Sequence, residues 1–210
     1  VTEEKRQTLG QMRRHIMLDA ATELFLEKGF ERTSLSDIIS RSKGSRSTLY
    51  EQFGNKEGLL RAMIEDTCCR SWEDVSQDLP SSSFDEEALV EFGMKFVNRA
   101  LTPHMLAVFR IMVTESHLVP EMAKLFFETG PQFFKQRLTE EFRAVDNNKL
   151  SDDTAVVFLG AIMGDLHFRQ ALGFCSISQE EIKSHVRNAV RIFLHGVGQL
   201  GSEAGARPQP

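Results

Sequence analysis

The chain has 210 residues, 41% of them hydrophobic, enough for one large domain or a small domain joined to a medium one. No run of about 18 apolar residues occurs and the start lacks a basic–apolar–small secretion signal, which gives the expectation of a cytoplasmic chain with no membrane partner. The formal charge is −5, yet residues 1–60 stand at +1 and the rest at −6, so overall acidity does not exclude an anionic partner at the front, where the local patch decides.

In chain order, residues 1–12 are polar and read as a flexible arm, basic in part through Lys5 and Arg6. From Ile16 the apolar residues Ile16, Met17, Ala20, Ala21, Leu24 and Phe25 recur at helical steps, and Gly29 ends that helix as a left-handed C-terminal residue. Ser34 and Asp37 have the spacing of a capping box that opens a short second helix, whose inner side is Ile38 and Ile39. Gly44 follows soon after. Ser45 caps a third helix with Leu49 and Phe53 on one face, and Asn55 caps a fourth running through Leu59, Leu60, Met63 and Ile64.

Two short helices joined by a tight glycine turn are a helix-turn-helix, the third helix being the reader. The stretch from Ile38 to Tyr50 has no acidic side chain, while Arg41, Lys43 and Arg46 lie among the hydroxyls of Ser40, Ser42, Ser45, Ser47, Thr48 and Tyr50. Arg46 and Lys56 each fall in the first turn of a helix. A cation there opposes the macrodipole and costs up to about 1 kcal/mol unless an anion arrives. A DNA phosphate is such an anion, hydroxyls are short donors to its oxygens, and Arg46 is long enough to fork onto a guanine edge.

The residues from Ala20 to Leu60, "AATELFLEKGFERTSLSDIISRSKGSRSTLYEQFGNKEGLL", resemble the N-terminal domain of the TetR family of transcriptional regulators. The likeness is carried by Gly29, Phe30, Thr33, Ser34, Asp37, Ile38, Ser45, Arg46, Thr48, Leu49, Tyr50, Phe53, Lys56, Glu57 and Leu59 and covers about residues 13–65. The stretches "LAVFRIMVTESHLVPEMAKLFFETGP" and "FLGAIMGDLHFRQALG" resemble the C-terminal domain of the AefR-like subgroup. The resemblance implies an all-α protein of about nine helices, a homodimer, a repressor, and a pocket for a small-molecule effector behind the DNA-binding domain. It also implies a DNA-contacting set of Thr33, Ser34, Lys43, Ser45, Arg46, Ser47, Thr48, Tyr50, Gln52 and Lys56 on a palindromic operator. Two departures from the family pattern stand out. The turn reads Lys43–Gly44 where glycine and then an apolar residue are usual, which costs a packing contact and adds a charge. Glu51, on the outward face of the third helix, either repels phosphate or accepts from a cytosine amine.

After a linker at 77–83, every signal is helical. Expected helices run from Asp85 to Leu101, from Pro103, from Pro120 and again after Gly130–Pro131, from Ser151 to Leu172, and from a second capping box at Ser178 and Glu181 to Val197. The division expected is an arm at 1–12, a DNA-binding domain at 13–65, a ligand-binding and dimerisation domain at 66–198, and a disordered tail at 199–210. Thirteen of the sixteen phenylalanines fall after residue 65, so Phe92, Phe96, Met105, Phe109, Met112, Phe126, Phe127, Phe133 and Met163 are candidates to line an apolar effector cavity or are plain helical core. His117 and His167 are the polar candidates for that cavity. For the dimer, Phe158 and the small-residue strip Gly160, Ala161 and Gly164 are paired with the stripe Ile182, Val186, Val190, Phe193 and Leu194 in an intersubunit four-helix bundle, unless both stripes are used within one subunit. Neither cofactor nor metal is expected, since no HxxxH or HExxH spacing is present. No paired carboxylates or Ser/His/Asp set supports a small helical enzyme, and Cys68 and Cys69 read as buried small hydrophobes, with a redox switch as the alternative.

Overall fold

The computed structural model describes residues 3–70, 75, 85–145, 151, 153–173 and 176–204, the side chains at 3–8, 69–70, 145 and 197–204 excepted. Every regular element among them is helical, as the all-α expectation has it. Helix α1 (Glu3–Lys28) buries Met17, Leu18, Ala20, Ala21, Leu24 and Phe25 at helical spacing. It begins well before Ile16, so the stretch read as an arm is helical from Glu3. The reason is local: Glu, Lys, Arg and Gln are strong helix formers without apolar periodicity to announce them.

Helices α2 (Leu35–Ser42), α3 (Arg46–Phe53) and α4 (Lys56–Glu65) follow at close intervals, and α4 runs into a π-helical turn at Asp66–Arg70. After residues outside the description, which include the expected linker, come α5 (Glu86–Ala100), α6 (Pro103–Glu115), α7 (Pro120–Thr129) and α8 (Pro131–Val145). The prolines open three of these four, where a missing N–H costs nothing. Then come α9 (Thr154–Met163), α10 (Leu166–Leu172) and α11 (Gln179–Ala204).

The helices group into two compact units, the described parts of Val1–Arg70 with Pro103–Thr129, and of Ser71–Thr102 with Gly130–Pro210. The sequence division placed all of 66–198 together; by contacts, α6 and α7 sit with the front of the chain. In the first unit α1 packs on α2, α4 and α6, α3 lies on α2 and α4, and α7 covers α4. Thr22 ties α1 to α4 by donating to the Met63 sulfur at 3.0 Å as well as to its own helix at Leu18 O.

In the second unit α11 packs on α5 and α9, and α9 on α8. Its core is a set of touching rings: Phe158 lies 6.2 Å from Phe92, 5.6 Å from Phe142 and 4.8 Å from Phe193, and Phe96 meets Phe134 edge-on at 5.3 Å. Edge and tilted ring pairs of this kind add to area burial because ring faces and edges carry opposite partial charge. The single helix expected from Ser151 to Leu172 is broken at Gly164 (φ 51°), and α9 and α10 meet at 50°. A Cβ at Gly164 would lie 2.5 Å from the His185 ring, and His185 Nε2 sits 3.0 Å from Ala161 O, a carbonyl near the break. At the other end, Ser178 Oγ accepts from Glu181 N at 3.1 Å, but the Glu181 carboxylate accepts from Arg169 at 2.7 Å instead of turning back on the cap. Helix α11 continues past Val197 to Ala204, into the expected tail; residues 205–210 lie outside the description.

Candidate nucleic-acid interface

The front of the molecule is set by local polar bonds. Gly29 (φ 83°) donates to Phe25 O at 2.9 Å and turns the chain so that Phe30 folds back onto Phe25, with ring centroids 5.2 Å apart. Thr33 follows, only 1% exposed, its hydroxyl donating to Gly29 O at 2.8 Å and Leu24 O at 3.2 Å. That corrects its place among the candidate DNA contacts: a buried hydroxyl already engaged with two carbonyls closes the α1–α2 turn and has nothing left to offer a phosphate.

The capping box at α2 is complete. Ser34 Oγ accepts from Asp37 N at 3.1 Å, and Asp37 Oδ2 accepts from Ser34 N at 2.9 Å. The Ser34 backbone and hydroxyl donors, with Lys28 at 3.3 Å, hold the Asp37 carboxyl below the usual aspartate range. Of the three cations in the acid-free stretch, Arg41 points back to α1, donating to Glu27 at 2.9 Å and 3.1 Å and to Glu23 at 3.0 Å. Its hydrogen bonds to Glu27 hold that carboxyl low in turn. Arg41 is a fastener of α2 to α1, which leaves Lys43 and Arg46 facing out.

Lys43 ends α2 in the left-handed region (φ 52°, ψ 31°), where it is the only non-glycine residue of positive φ among those described. A side chain there costs roughly 1–2 kcal/mol that glycine would not. Gly44 leaves room for a side chain from another helix. A Cβ built on it would run into the Met17 methyl, so Met17 from α1 fills the space that an apolar turn residue would occupy. The packing contact expected to be lost at this departure is supplied from another helix. Arg13, Ile16, Met17, Ser42, Lys43 and Thr48, with Gly44 and Ser45, enclose a cleft of about 380 Å³ beside the turn.

Ser45 caps α3, accepting from Thr48 N at 3.1 Å, and its hydroxyl reaches Thr48 Oγ1 at 2.7 Å and Ser47 Oγ at 3.1 Å. Leu49 and Phe53 are buried and fix which side of α3 faces inward, with Arg14 stacked over the Phe53 ring at 5.1 Å. Arg46, Ser47, Tyr50, Glu51 and Gln52 are exposed, Thr48 half-buried. Asn55 caps α4, accepting from Gly58 N at 2.7 Å, and Gly58 is required because a Cβ there would strike the Phe53 carbonyl. Lys56 is partly structural. Its ammonium donates to Phe30 O at 2.9 Å and Glu31 O at 3.1 Å and lies 4.4 Å over the Phe30 ring, so it braces the α1–α2 turn from the start of α4. Neither Gly58 nor this brace was legible in the sequence, because both depend on how α4 is placed.

The effector candidates are divided between the two units. Met105, Phe109, Met112, His117, Phe126 and Phe127 belong to the first; Phe92, Phe96, Phe133, Met163 and His167 belong to the second. Phe92 and Phe96 are stacked in the ring core at 5.9 Å, His117 is exposed, and burial lowers the pKa of His167, favouring its neutral form. The dimer candidates divide as well. Phe158, Ile182, Val186, Val190 and Phe193 are buried within their own unit, so that stripe is used inside one subunit. Gly160 and Gly164 are exposed, Ala161 and Leu194 half-buried. The apolar side chains that reach solvent on these helices are others, chiefly Val157 (61% exposed), Phe168 (68%), Leu172 and Ile192. Cys68 is buried in the π-helical turn, an unfavourable place for a redox sensor, and the Cys69 side chain lies outside the description.

Comparison with known proteins agrees with this geometry. The description "Bacterial regulatory proteins, tetR family" matches residues 17–63, and "AefR-like transcriptional repressor, C-terminal domain" matches residues 87–196. The chain is 44% identical over 52 residues to the HTH-type transcriptional repressor ComR of Escherichia coli, a match spanning 25% of each protein. It is 23% identical over 187 residues to IcaR of Staphylococcus aureus, the negative transcriptional regulator of the biofilm operon icaADBC, covering 85% of this chain and 97% of IcaR. Among solved structures it is similar to the flavonoid-responsive regulator FrrA (28% identity, TM-score 0.69, 89% of this chain and 97% of that one). A TetR family regulator from Pseudomonas syringae shares the fold at 21% identity (TM-score 0.70, 88% and 95% covered). A capped reading helix on a helix-turn-helix, followed by a C-terminal domain matched over more than half the chain, leaves one conclusion: this protein belongs to the tetR family of bacterial regulatory proteins and is a DNA-binding transcriptional regulator.

Proposed function

We propose that the chain is a ligand-responsive homodimeric repressor that holds a palindromic operator and releases it when a small apolar or amphipathic effector binds. The observation that carries this reading is α3: Leu49 and Phe53 anchor it from behind, while Arg46, Ser47 and Tyr50 stand exposed beside its Ser45-capped start. Ser34, Lys43, Ser45, Thr48, Tyr50 and Lys56 are the proposed backbone contacts, with Arg46 and Ser47 reaching bases and Gln52 at the rim. Lys56 keeps this role only through the part of its ammonium not turned toward Phe30 O and Glu31 O.

A palindrome calls for two reading helices about 34 Å apart, hence a second copy. The exposed side chains Val157, Phe168, Leu172 and Ile192 support an intersubunit face on α9, α10 and α11, shifted from the stripe expected from the sequence. The abundance of phenylalanine and methionine in the back of the chain, together with FrrA being flavonoid-responsive by name, supports a small and largely apolar effector. Such an effector acts by binding one arrangement of α4 and its π-helical turn better than the other; irregular turns of this type are frequent at functional positions.

Footprinting on the promoter of its own gene locates the operator, and anisotropy titrations then measure affinity. Arg46→Ala is expected to weaken binding by about 1–3 kcal/mol without lowering the melting temperature. A protein that protects no site, or a variant that binds as well as wild type, removes the proposal.

A further inference from the structure

By helical spacing, the side of the reading helix opposite its buried anchors carries a carboxylate. At about 100° per residue, Glu51 lies about 160° from both buried anchors, Leu49 and Phe53, and points more directly outward than any other side chain of α3. Ser47 lies one turn before it on the same crest. Arg46 and Tyr50 lie on the flank, exposed but turned toward the side that the anchors occupy. The centre of the surface that enters the groove is therefore Ser47 and Glu51, with the cation at its edge.

Glu51 also has no ion pair among the described residues. Glu23 and Glu27 are tied to Arg41 and Asp37 to Lys28, and no cation stands three or four residues from Glu51 on its own helix. An isolated carboxylate pressed between two phosphate backbones is repelled unless the groove floor presents donors. In the major groove cytosine offers its N4 amine alone, adenine places the N7 acceptor beside its amine, and guanine and thymine offer acceptor oxygens. Glu51 is acceptor-only when ionised, so cytosine fits it best.

Resting on the reading of α3 as the operator-contacting helix, we propose that Glu51 is a specificity-determining residue that accepts a hydrogen bond from a cytosine N4 amine, fixing a C·G pair at one position of each half-site. Selection of full-length protein against random duplex DNA, repeated with Glu51→Ala and Glu51→Gln, tests it; unchanged circular dichroism melting confirms that the variants of this exposed residue are folded. Wild type should select cytosine at the position and lose on the order of five- to a hundredfold affinity when that pair alone is replaced. Glu51→Ala should become indifferent there while keeping every other preference. Glu51→Gln should turn toward adenine, whose N6 and N7 match an amide. Retention of the full wild-type motif by Glu51→Ala overturns the assignment, as does a uniform gain in affinity across all sequences, which relief of phosphate repulsion alone produces. If wild type selects no motif, it is the operator-binding proposal that falls, and this assignment falls with it.

Discussion

Between Gly29 and Gly58 nearly every change of direction is set by an identifiable hydrogen bond, whereas the interior around Phe158 is filled by touching rings, with polar bonds such as Arg169–Glu181 and His185–Ala161 O lying outside the ring cluster. Ser34, Ser45 and Asn55 each cap the helix they precede, Thr33 closes one turn, and Lys56 braces it from the far side. A directional bond accepts one or two residue types at a position, while an apolar contact accepts anything of similar volume. The difference teaches where identity matters and where only bulk does.

The largest effect that tests the contrast is expected at the ring core. Phe158→Ala should destabilise by about 3–5 kcal/mol, and Phe158→Leu by much less, in urea titrations. A near-neutral alanine variant would mean the rings are not the main support. In the front segment the matching experiment keeps volume and removes direction. Thr33→Val should cost about 1–3 kcal/mol because the carbonyls of Leu24 and Gly29, the first buried and the second partly so, lose this donor, while the salt dependence of operator binding stays as in wild type. A changed salt slope would return Thr33 to the DNA-contacting set.

Smaller and of opposite sign, Lys43→Gly should raise stability by under about 1 kcal/mol, the relief of the left-handed backbone being offset in part by a looser unfolded chain. The same variant should lower the slope of log affinity against log salt by about one phosphate contact. Smallest is the pH response of the capping box. The Asp37 carboxyl is held low by Ser34 and Lys28, so its contribution is fully present above the ordinary aspartate range and is lost as pH falls through the depressed value. The gap in melting temperature between wild type and Asp37→Asn should be widest near neutral pH and close on acidification.

The same contrast explains what could be read in advance. The boundaries of α2, α3 and α4 followed from Ser34, Ser45 and Asn55 because a cap and the amide it satisfies lie within three residues of each other. Contacts across longer stretches were hidden. Met17 filling the place of a turn side chain, Arg41 turning to Glu27, and Lys56 reaching Phe30 O each join residues 14 to 27 positions apart. In the back half the helical period was legible but not its partner. The stripe of Ile182, Val186, Val190 and Phe193 is what periodicity predicts for either a subunit core or an interface, and only packing shows it turned inward. Gly164 was read as one of a row of small residues, whereas its positive φ marks a break.

That break has a consequence for how far one straight helix can reach. Unbent, residues 154–172 would make a rod of about 28 Å, close to the thickness of a bilayer's hydrocarbon layer, and their composition would satisfy such a passage. Gly164 and the imidazole of His185 lodged against it divide this length into two arms at 50°, neither of them long enough to span a bilayer. One small residue and one ring thus set the reach of this stretch, and no single helix among the described residues is long and apolar enough to cross a membrane.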